Sequence, residues 1–243
     1  MNYFLLCAYN ESKNIVKVIE NIRKYFKYEY KIIIVNDGST DDTEFQIKKQ
    51  VRESEIVLLN HKRNLGLGAA LRTGLLYILS NSMLKAKDTI ITLDADNTHP
   101  IEIANVMVKK IFENNDLIIA SRFTKGAIQL GVPLYRKLIS LSARCILKII
   151  FPYPGLKDYT SGYRAYRGSL ILTAYNYYKK DIVKERNFVV QLEILVKLLK
   201  FRPKIYEVPI NLKYFLKYGK SKLKIVKNII SYLNFIFSYI IKP

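Results

Sequence analysis

The sequence predicts an α/β fold: a mostly parallel, doubly wound sheet covered by helices on both faces. Three observations lead there. Five apolar runs between Tyr3 and Arg122 alternate with segments of helical periodicity, the pattern of parallel strands joined by crossover helices. The runs are apolar throughout, as strands buried on both faces are. Several of them close on polar residues, which collects those residues at the C-terminal edge of the sheet, where open α/β folds bind ligands.

Tyr3 to Tyr9 forms the first expected strand, and Asn10-Glu11-Ser12 leads into a helix with Ile15, Val18, Ile19, Ile22 and Phe26 on one face. Tyr30 to Asp37 repeats the plan of an apolar run ending in an acid. Gly38 turns the chain into a second helix, with Ser39 and Asp42 spaced as a capping box that uses Asp in place of Glu or Gln. Glu55 to Asn60 is the third strand, and Asn64-Leu65-Gly66-Leu67-Gly68 opens a helix from Ala69 to about Leu79. The fourth strand, Thr89 to Leu93, ends in Asp94-Ala95-Asp96. Thr98-His99-Pro100 is expected to start the next helix, with Pro in the first turn, where its missing N–H costs nothing. Asp116 to Ser121 is a fifth short strand ending at Arg122.

Beyond Arg122 the alternation stops. Leu134 to Phe151 is apolar with helical spacing yet carries Arg136, Lys137, Arg144 and Lys148, a mixture suited to a helix lying on a membrane surface. Phe188 to Leu199 predicts another helix, and Lys204 to Val208 an edge strand ended by Pro209. Near the C-terminus Val226, Ile229, Ile230, Leu233, Phe237, Ile240 and Ile241 form a helical stripe, widened by Tyr232, Phe235 and Tyr239. Such a stripe docks on the protein's own core, on a second subunit or on a membrane. The expected division is a catalytic domain over 1–222 and a C-terminal amphipathic helix over 223–243.

The net charge of +20 is unevenly spread: residues 1–116 carry 16 Lys/Arg against 15 Asp/Glu, and residues 117–243 carry 24 against 5. The second half therefore expects an anionic partner: nucleic acid, a membrane surface or a phosphorylated substrate. Cys7 and Cys145 lie far apart among apolar residues, as reduced core thiols do. Tyr3 to Ala8 has no basic segment ahead of it and suits a strand better than a secretory signal. No apolar stretch reaches the ~20 residues that span a bilayer.

Asp94 and Asp96 deliver two carboxylates to the sheet edge, an arrangement that invites a divalent cation, although an isolated Asp-X-Asp is also an ordinary polar loop. Tyr9, Glu11, Asp37 and Arg122 fall on the same predicted edge. A nucleoside diphosphate suits it, with carboxylates on the metal and the metal on phosphate oxygens. Asp37 could alternatively accept hydrogen bonds from a ribose or base. His61 and His99 are expected to be structural.

Tyr9-Asn10-Glu11, Asn36-Asp37-Gly38-Ser39-Thr40-Asp41-Asp42-Thr43, Asn64 to Ala69, Asp94-Ala95-Asp96 with His99-Pro100, and Ser121-Arg122-Phe123 occur in order and at family spacing. Together they resemble the inverting glycosyltransferases of GT-A family 2. Arg136 with Ser140, Asp158 to Tyr166, Glu193, Glu207-Val208-Pro209-Ile210 and Gly219-Lys220-Ser221-Lys222-Leu223 narrow the likeness to the polyprenyl-phosphate sugar transferases. The dolichyl-phosphate mannosyltransferases are the best known of these. The likeness runs from about Tyr3 to Leu223.

The resemblance implies a GT-A fold, a Rossmann-like sheet with helices on both faces plus C-terminal amphipathic interface helices. It implies that Tyr9, Glu11 and Asp37 hold the nucleoside of a sugar nucleotide, GDP-mannose or a UDP-hexose. Asp94 and Asp96 would carry Mg²⁺ or Mn²⁺ against the diphosphate, Arg122 and Lys222 would neutralise phosphate charge, and Arg136 and Ser140 would receive the phosphate of a polyprenyl phosphate lipid. Asp96, Arg122 and Arg136 carry the catalytic assignment. The implied setting is peripheral, on the cytoplasmic face of an anionic membrane, with a membrane subunit or a homo-oligomer as a further partner. Thr98 stands where Gln often follows the acidic pair, and Leu216 where Arg is common.

Two rivals remain at this level. A sugar-hydroxyl acceptor would need a carboxylate base and would make less use of Arg136 and Ser140. A nucleic-acid-binding protein would explain the +20 charge and the 19 Tyr, but acids at the ligand edge repel a phosphate backbone, so no nucleic-acid partner is expected.

Overall fold

A computed structural model describes residues 1–51, 55–80, 83–216 and 225–241. Its first half alternates as the periodicity predicts: β1 (Asn2–Ala8), α1 (Ile15–Tyr25), β2 (Tyr30–Asn36), α2 (Thr43–Gln50), β3 (Ile56–Asn60), α3 (Leu67–Ser80), β4 (Thr89–Asp94), α4 (Glu102–Phe112) and β5 (Leu117–Ser121). The second half adds β6 (Ile128–Leu130), α5 (Leu134–Ile150), β7 (Arg164–Arg167), α6 (Gly168–Tyr178), α7 (Val190–Leu199), β8 (Ile205–Pro209), β9 (Asn211–Lys213) and α8 (Ile225–Ile241).

Seven strands make one sheet in the order β3-β2-β1-β4-β7-β5-β8, and β6 pairs with β9 in a separate parallel ribbon. Strand neighbours run parallel except at β7, which is antiparallel to both β4 and β5. Period-2 alternation sends successive residues to opposite faces. Phe4, Leu6, Ile32, Ile34 and Ile91 join Ile19, Ile22 and Met107 of α1 and α4. Leu5, Ile33, Val35 and Ile90 join Leu71, Leu75 and Leu195 of α3 and α7 on the other face. Both faces are thus covered, and β8 occupies the sheet edge, with its last residue Pro209 level with Ser121.

Three local expectations are corrected. The capping box does not form: α2 starts at Thr43, and Ser39 Oγ instead accepts the Asn10 N–H at 2.9 Å. Gly38, at φ 65°, turns the chain toward the loop after β1, and Asp41 Oδ1 takes the Thr43 N–H at 3.0 Å. Pro100 lies ahead of α4, which begins at Glu102, because Asn97 is left-handed at φ 62° and the Tyr163 hydroxyl holds the Pro100 carbonyl at 3.0 Å. The third concerns the C-terminal stripe. Ile236, with Tyr232 and Phe235, packs on the core, whereas Val226, Ile229, Ile230, Leu233 and Phe237 are exposed.

In α5 only Leu147 is buried, and Leu134, Leu138 and Ile149 face outward. Among the described residues no helix is long and apolar enough to cross a membrane.

Candidate active site

Strand register brings the predicted residues to one edge. Cys7 is level with Val35 on one side and Asp94 on the other, so the chain segments after β1, β2 and β4 emerge together. Because β4 and β5 both oppose β7, they run in the same direction, and Arg122 leaves β5 at this edge too. The reversed β7 adds what a purely parallel sheet would not. Arg164 at its start is level with Thr92 and Ile119, so the preceding loop, Asp158 to Gly162, also arrives at the C-terminal edge.

The two acids of the pair have different surroundings. The Asp94 side chain is 48% exposed, while Asp96 is buried. Asp96 Oδ1 accepts from the Thr98 N–H at 3.2 Å and the Thr98 hydroxyl at 2.7 Å. Thr98 therefore turns back to orient Asp96.

His99 packs beside the acidic pair. Its Nδ1 accepts the Asp94 N–H at 3.2 Å, which leaves the neutral ring's proton on Nε2, 4.0 Å from Asp94 Oδ2. The ring stacks on Tyr163 with centroids 5.0 Å apart. His61 bridges Asp37 Oδ1 at 2.7 Å and the Thr73 hydroxyl at 2.9 Å.

Asp37 is buried and organises the glycine loop: Oδ1 accepts the Leu65 N–H at 2.9 Å and Oδ2 the Gly66 N–H at 2.8 Å. Gly66 needs its freedom, since it has φ 96° and a Cβ there would meet Arg186 O at 2.5 Å. Glu11 is buried beside the start of α1, where Oε2 accepts from Asn14 Nδ2 at 2.6 Å. Tyr9 is half-buried on the same loop.

Arg122 forms a two-pronged pair with the fully buried Asp158, Nε to Oδ2 at 2.8 Å and Nη2 to Oδ1 at 2.6 Å, and Nη2 also donates to the Thr160 hydroxyl at 2.6 Å. Burial opposes both charges, but each partner outweighs it. The Arg122 guanidinium is pushed up and the Asp158 carboxyl held below the ordinary carboxylate range. A phosphate at this edge would thus meet a guanidinium whose charge Asp158 already offsets. Asp158 is the residue the sequence did not single out for a role. Its signal was the Asp158-Tyr159-Thr160-Ser161-Gly162 string, whose position at the edge depends on the unpredicted β7.

Arg136 and Ser140 are one turn apart on α5. The Arg136 guanidinium lies over the Tyr135 and Tyr214 rings, 5.7 Å from each centroid, and the buried Ser140 hydroxyl has no hydrogen-bond partner among the described residues. Arg144, two turns on from Arg136, lies over Phe123 at 4.9 Å, which brings α5 against the segment that carries Arg122. Lys222 and the rest of Gly219 to Leu223 lie outside the described residues.

A doubly wound sheet with an acidic pair closing a central strand is the architecture of the GT-A nucleotide-sugar transferases. The family model of glycosyl transferase family 2 matches residues 3–175, and the chain belongs to that family: it is a glycosyltransferase. A dolichol-phosphate mannosyltransferase of Pyrococcus furiosus is 29% identical over 240 residues, 96% of this chain and 62% of that protein. An uncharacterized protein of Methanocaldococcus jannaschii is 31% identical over 216 residues, 87% of this chain and 81% of that one. Among solved structures, the glucosyl-3-phosphoglycerate synthase of Mycobacterium tuberculosis in complex with Mn²⁺, UDP and glucosyl-3-phosphoglycerate shares the fold. Its TM-score is 0.65 at 18% identity, covering 98% of this chain and 77% of that one.

Proposed function

We propose that the enzyme transfers a hexose from a nucleoside-diphosphate sugar to the phosphate of a polyprenyl phosphate, with inversion at the anomeric carbon. The observation that carries this reading is α5. It is an amphipathic helix with an exposed apolar side, it bears Arg136 and Ser140 one turn apart, and it packs against the Arg122 segment. A lipid phosphate needs such a surface, apolar for the chain and cationic for the head.

The donor in this reading is GDP-mannose, in line with the relative from P. furiosus. UDP-glucose is the second reading, supported by the UDP bound to the M. tuberculosis neighbour. Tyr9, Glu11 and the loop held by Asp37 form the nucleoside end. Asp94 and Asp96 fit Mg²⁺ or Mn²⁺ as a carboxylate pair. Among the described residues no cluster of three or more His, Cys, Asp and Glu is placed to hold an ion, and Mg²⁺ is commonly held by one or two carboxylates with substrate phosphates completing the shell. When bound, the ion supplies positive charge to the leaving diphosphate.

The acceptor phosphate is anionic at neutral pH, so one of its oxygens forms the new bond to the anomeric carbon as the bond to the diphosphate breaks, with no proton to remove. The residues' task is to hold two anions together: Arg136 and Ser140 on the acceptor, Arg122 and Lys222 on the diphosphate. A membrane subunit or a second copy of the chain is a further partner on the cytoplasmic face. The test incubates purified protein with Mg²⁺ or Mn²⁺, a short polyprenyl phosphate and radiolabelled sugar nucleotides. Label in the lipid extract is expected; folded protein that labels no lipid from any donor overturns the reading.

A further inference from the structure

Gln191 is a buried residue at the edge of the site whose side-chain amide takes no part in the hydrogen bonding among the described residues. It lies at the start of α7 and is 5% exposed. Its backbone is fixed on both sides: Phe188 O accepts its N–H at 3.2 Å, and its carbonyl accepts Nη1 of the fully buried Arg164 at 2.6 Å. Its carboxamide has no hydrogen-bond partner among the described residues and opens on a small recess shared with Asp94, Gly162, Cys7 and Leu67. Gly162 keeps that recess open. A Cβ there would lie 3.0 Å from Gln191 Nε2 and 3.8 Å from Asp94 Oδ1, so amide and carboxylate flank the glycine.

The carboxamide therefore keeps its donor and acceptor for a group that enters the recess. The recess has room for about one water-sized group, a single hydroxyl and not a ring. A carboxamide both donates and accepts, as a hydroxyl does. We infer that Gln191 selects the transferred sugar by hydrogen-bonding one of its ring hydroxyls, beside the carboxylate of Asp94. This rests on the reading of Asp94 and Asp96 as the seat of the donor diphosphate, which puts the sugar next to them. Leu67 and Cys7 give the recess an apolar wall, so a hydroxyl entering it turns its polar side to the amide.

The test compares the wild-type chain with Gln191→Met, using the sugar nucleotide that supports transfer and its 2-, 3-, 4- and 6-deoxy analogues. In the wild type, one analogue is expected to lose about 10- to 100-fold in kcat/KM, the value of one lost buried hydrogen bond. In Gln191→Met the parent donor falls to about the level of that analogue, so their ratio collapses toward one. Affinity for the free nucleoside diphosphate stays within about twofold, which a disordered site would not allow. A wild type that uses every analogue as well as the parent overturns the inference, and so does a folded Gln191→Met that keeps the wild-type ratio. Should Gln191→Met fail to fold, Gln191→Leu, which also removes the amide, is read in the same way. A wild type that transfers sugar from no donor fails at the level of the proposed function instead.

Discussion

Asp94 and Asp96 share a motif but not an environment, and the difference assigns their tolerance. Half-exposed Asp94 can follow a ligand; buried Asp96 is held by Thr98, whose hydroxyl and N–H both reach one carboxylate oxygen. A hydrogen bond behind a metal-binding carboxylate typically matters 10- to 100-fold. Thr98→Val is therefore expected to raise the Mg²⁺ or Mn²⁺ concentration for half-maximal activity by about 10- to 100-fold, while Asp96→Ala abolishes transfer at any metal concentration. Metal titrations of the two variants check this, and an unchanged titration in Thr98→Val would show that the Asp96 orientation is immaterial. Asp158 makes a prediction about stability. A carboxyl whose folded-state pKa is depressed contributes stability above its unfolded value, near 3.9, and loses it as pH falls through the folded value. Denaturant melts of Asp158→Asn should show a loss on the order of 3–5 kcal/mol at neutral pH, because the Arg122 charge is left uncompensated, and a flatter decline than wild type below about pH 4.

At the scale of elements, the apolar runs of β1, β2, β4 and β5 were legible because a strand buried on both faces has nothing but apolar side chains to show, and the half-buried edge strand β3 because its run Ile56 to Leu59 is apolar throughout. The edge that collects Tyr9, Asp37, Asp94 and Arg122 followed from their parallel direction. β7 was not legible: Arg164-Ala165-Tyr166-Arg167 has the composition of a surface loop, and its central position depends on Arg164 finding the carbonyls of Tyr159 and Gln191 inside the protein. With β7 went the placement of Asp158 and Gln191 in the site. In α8 the periodicity was correct but the docked side was not. Among the α8 residues whose burial is described, Ile236 is the one buried position, and aromatic flanks seal it, including Phe151 against Tyr239 at 5.1 Å and Tyr232, whose hydroxyl burial pushes up to about 12. Removing residues 223–243 would thus strip core as well as surface. The selective change is Leu233→Glu with Phe237→Glu, 57% and 68% exposed, which should leave thermal stability within about 0.5 kcal/mol yet weaken liposome binding in flotation. Wild-type flotation by a stably folded variant would remove α8 from the membrane surface.

For the whole molecule, the segregation of charge and of exposed apolar side chains coincide. Residues 117–243 hold 24 of the 40 Lys/Arg and also contribute helices α5 and α8, whose outward faces carry Leu134, Leu138, Ile149, Val226 and Phe237. Each cation near an anionic leaflet contributes on the order of 1 kcal/mol, so in the proposed setting a few of them together with shallow insertion of the apolar side chains would hold the enzyme reversibly. The two contributions respond differently to salt. Screening shortens to about 3 Å at 1 M and removes the electrostatic part, leaving insertion, which a short amphipathic helix cannot sustain alone. The enzyme is accordingly expected to sediment with vesicles containing anionic lipid at ~0.1 M salt, to remain in the supernatant with purely zwitterionic vesicles, and to be released from anionic ones near 1 M. Equal sedimentation with both vesicle types would show that apolar insertion dominates and that the basic second half serves the phosphate groups of donor and acceptor instead. The same vesicles, loaded with polyprenyl phosphate, then separate the two uses of charge: salt that releases the enzyme should raise the apparent KM for the lipid while leaving the KM for the sugar nucleotide nearly unchanged, since Asp94 and Asp96 lie at the sheet edge and not on α5 or α8.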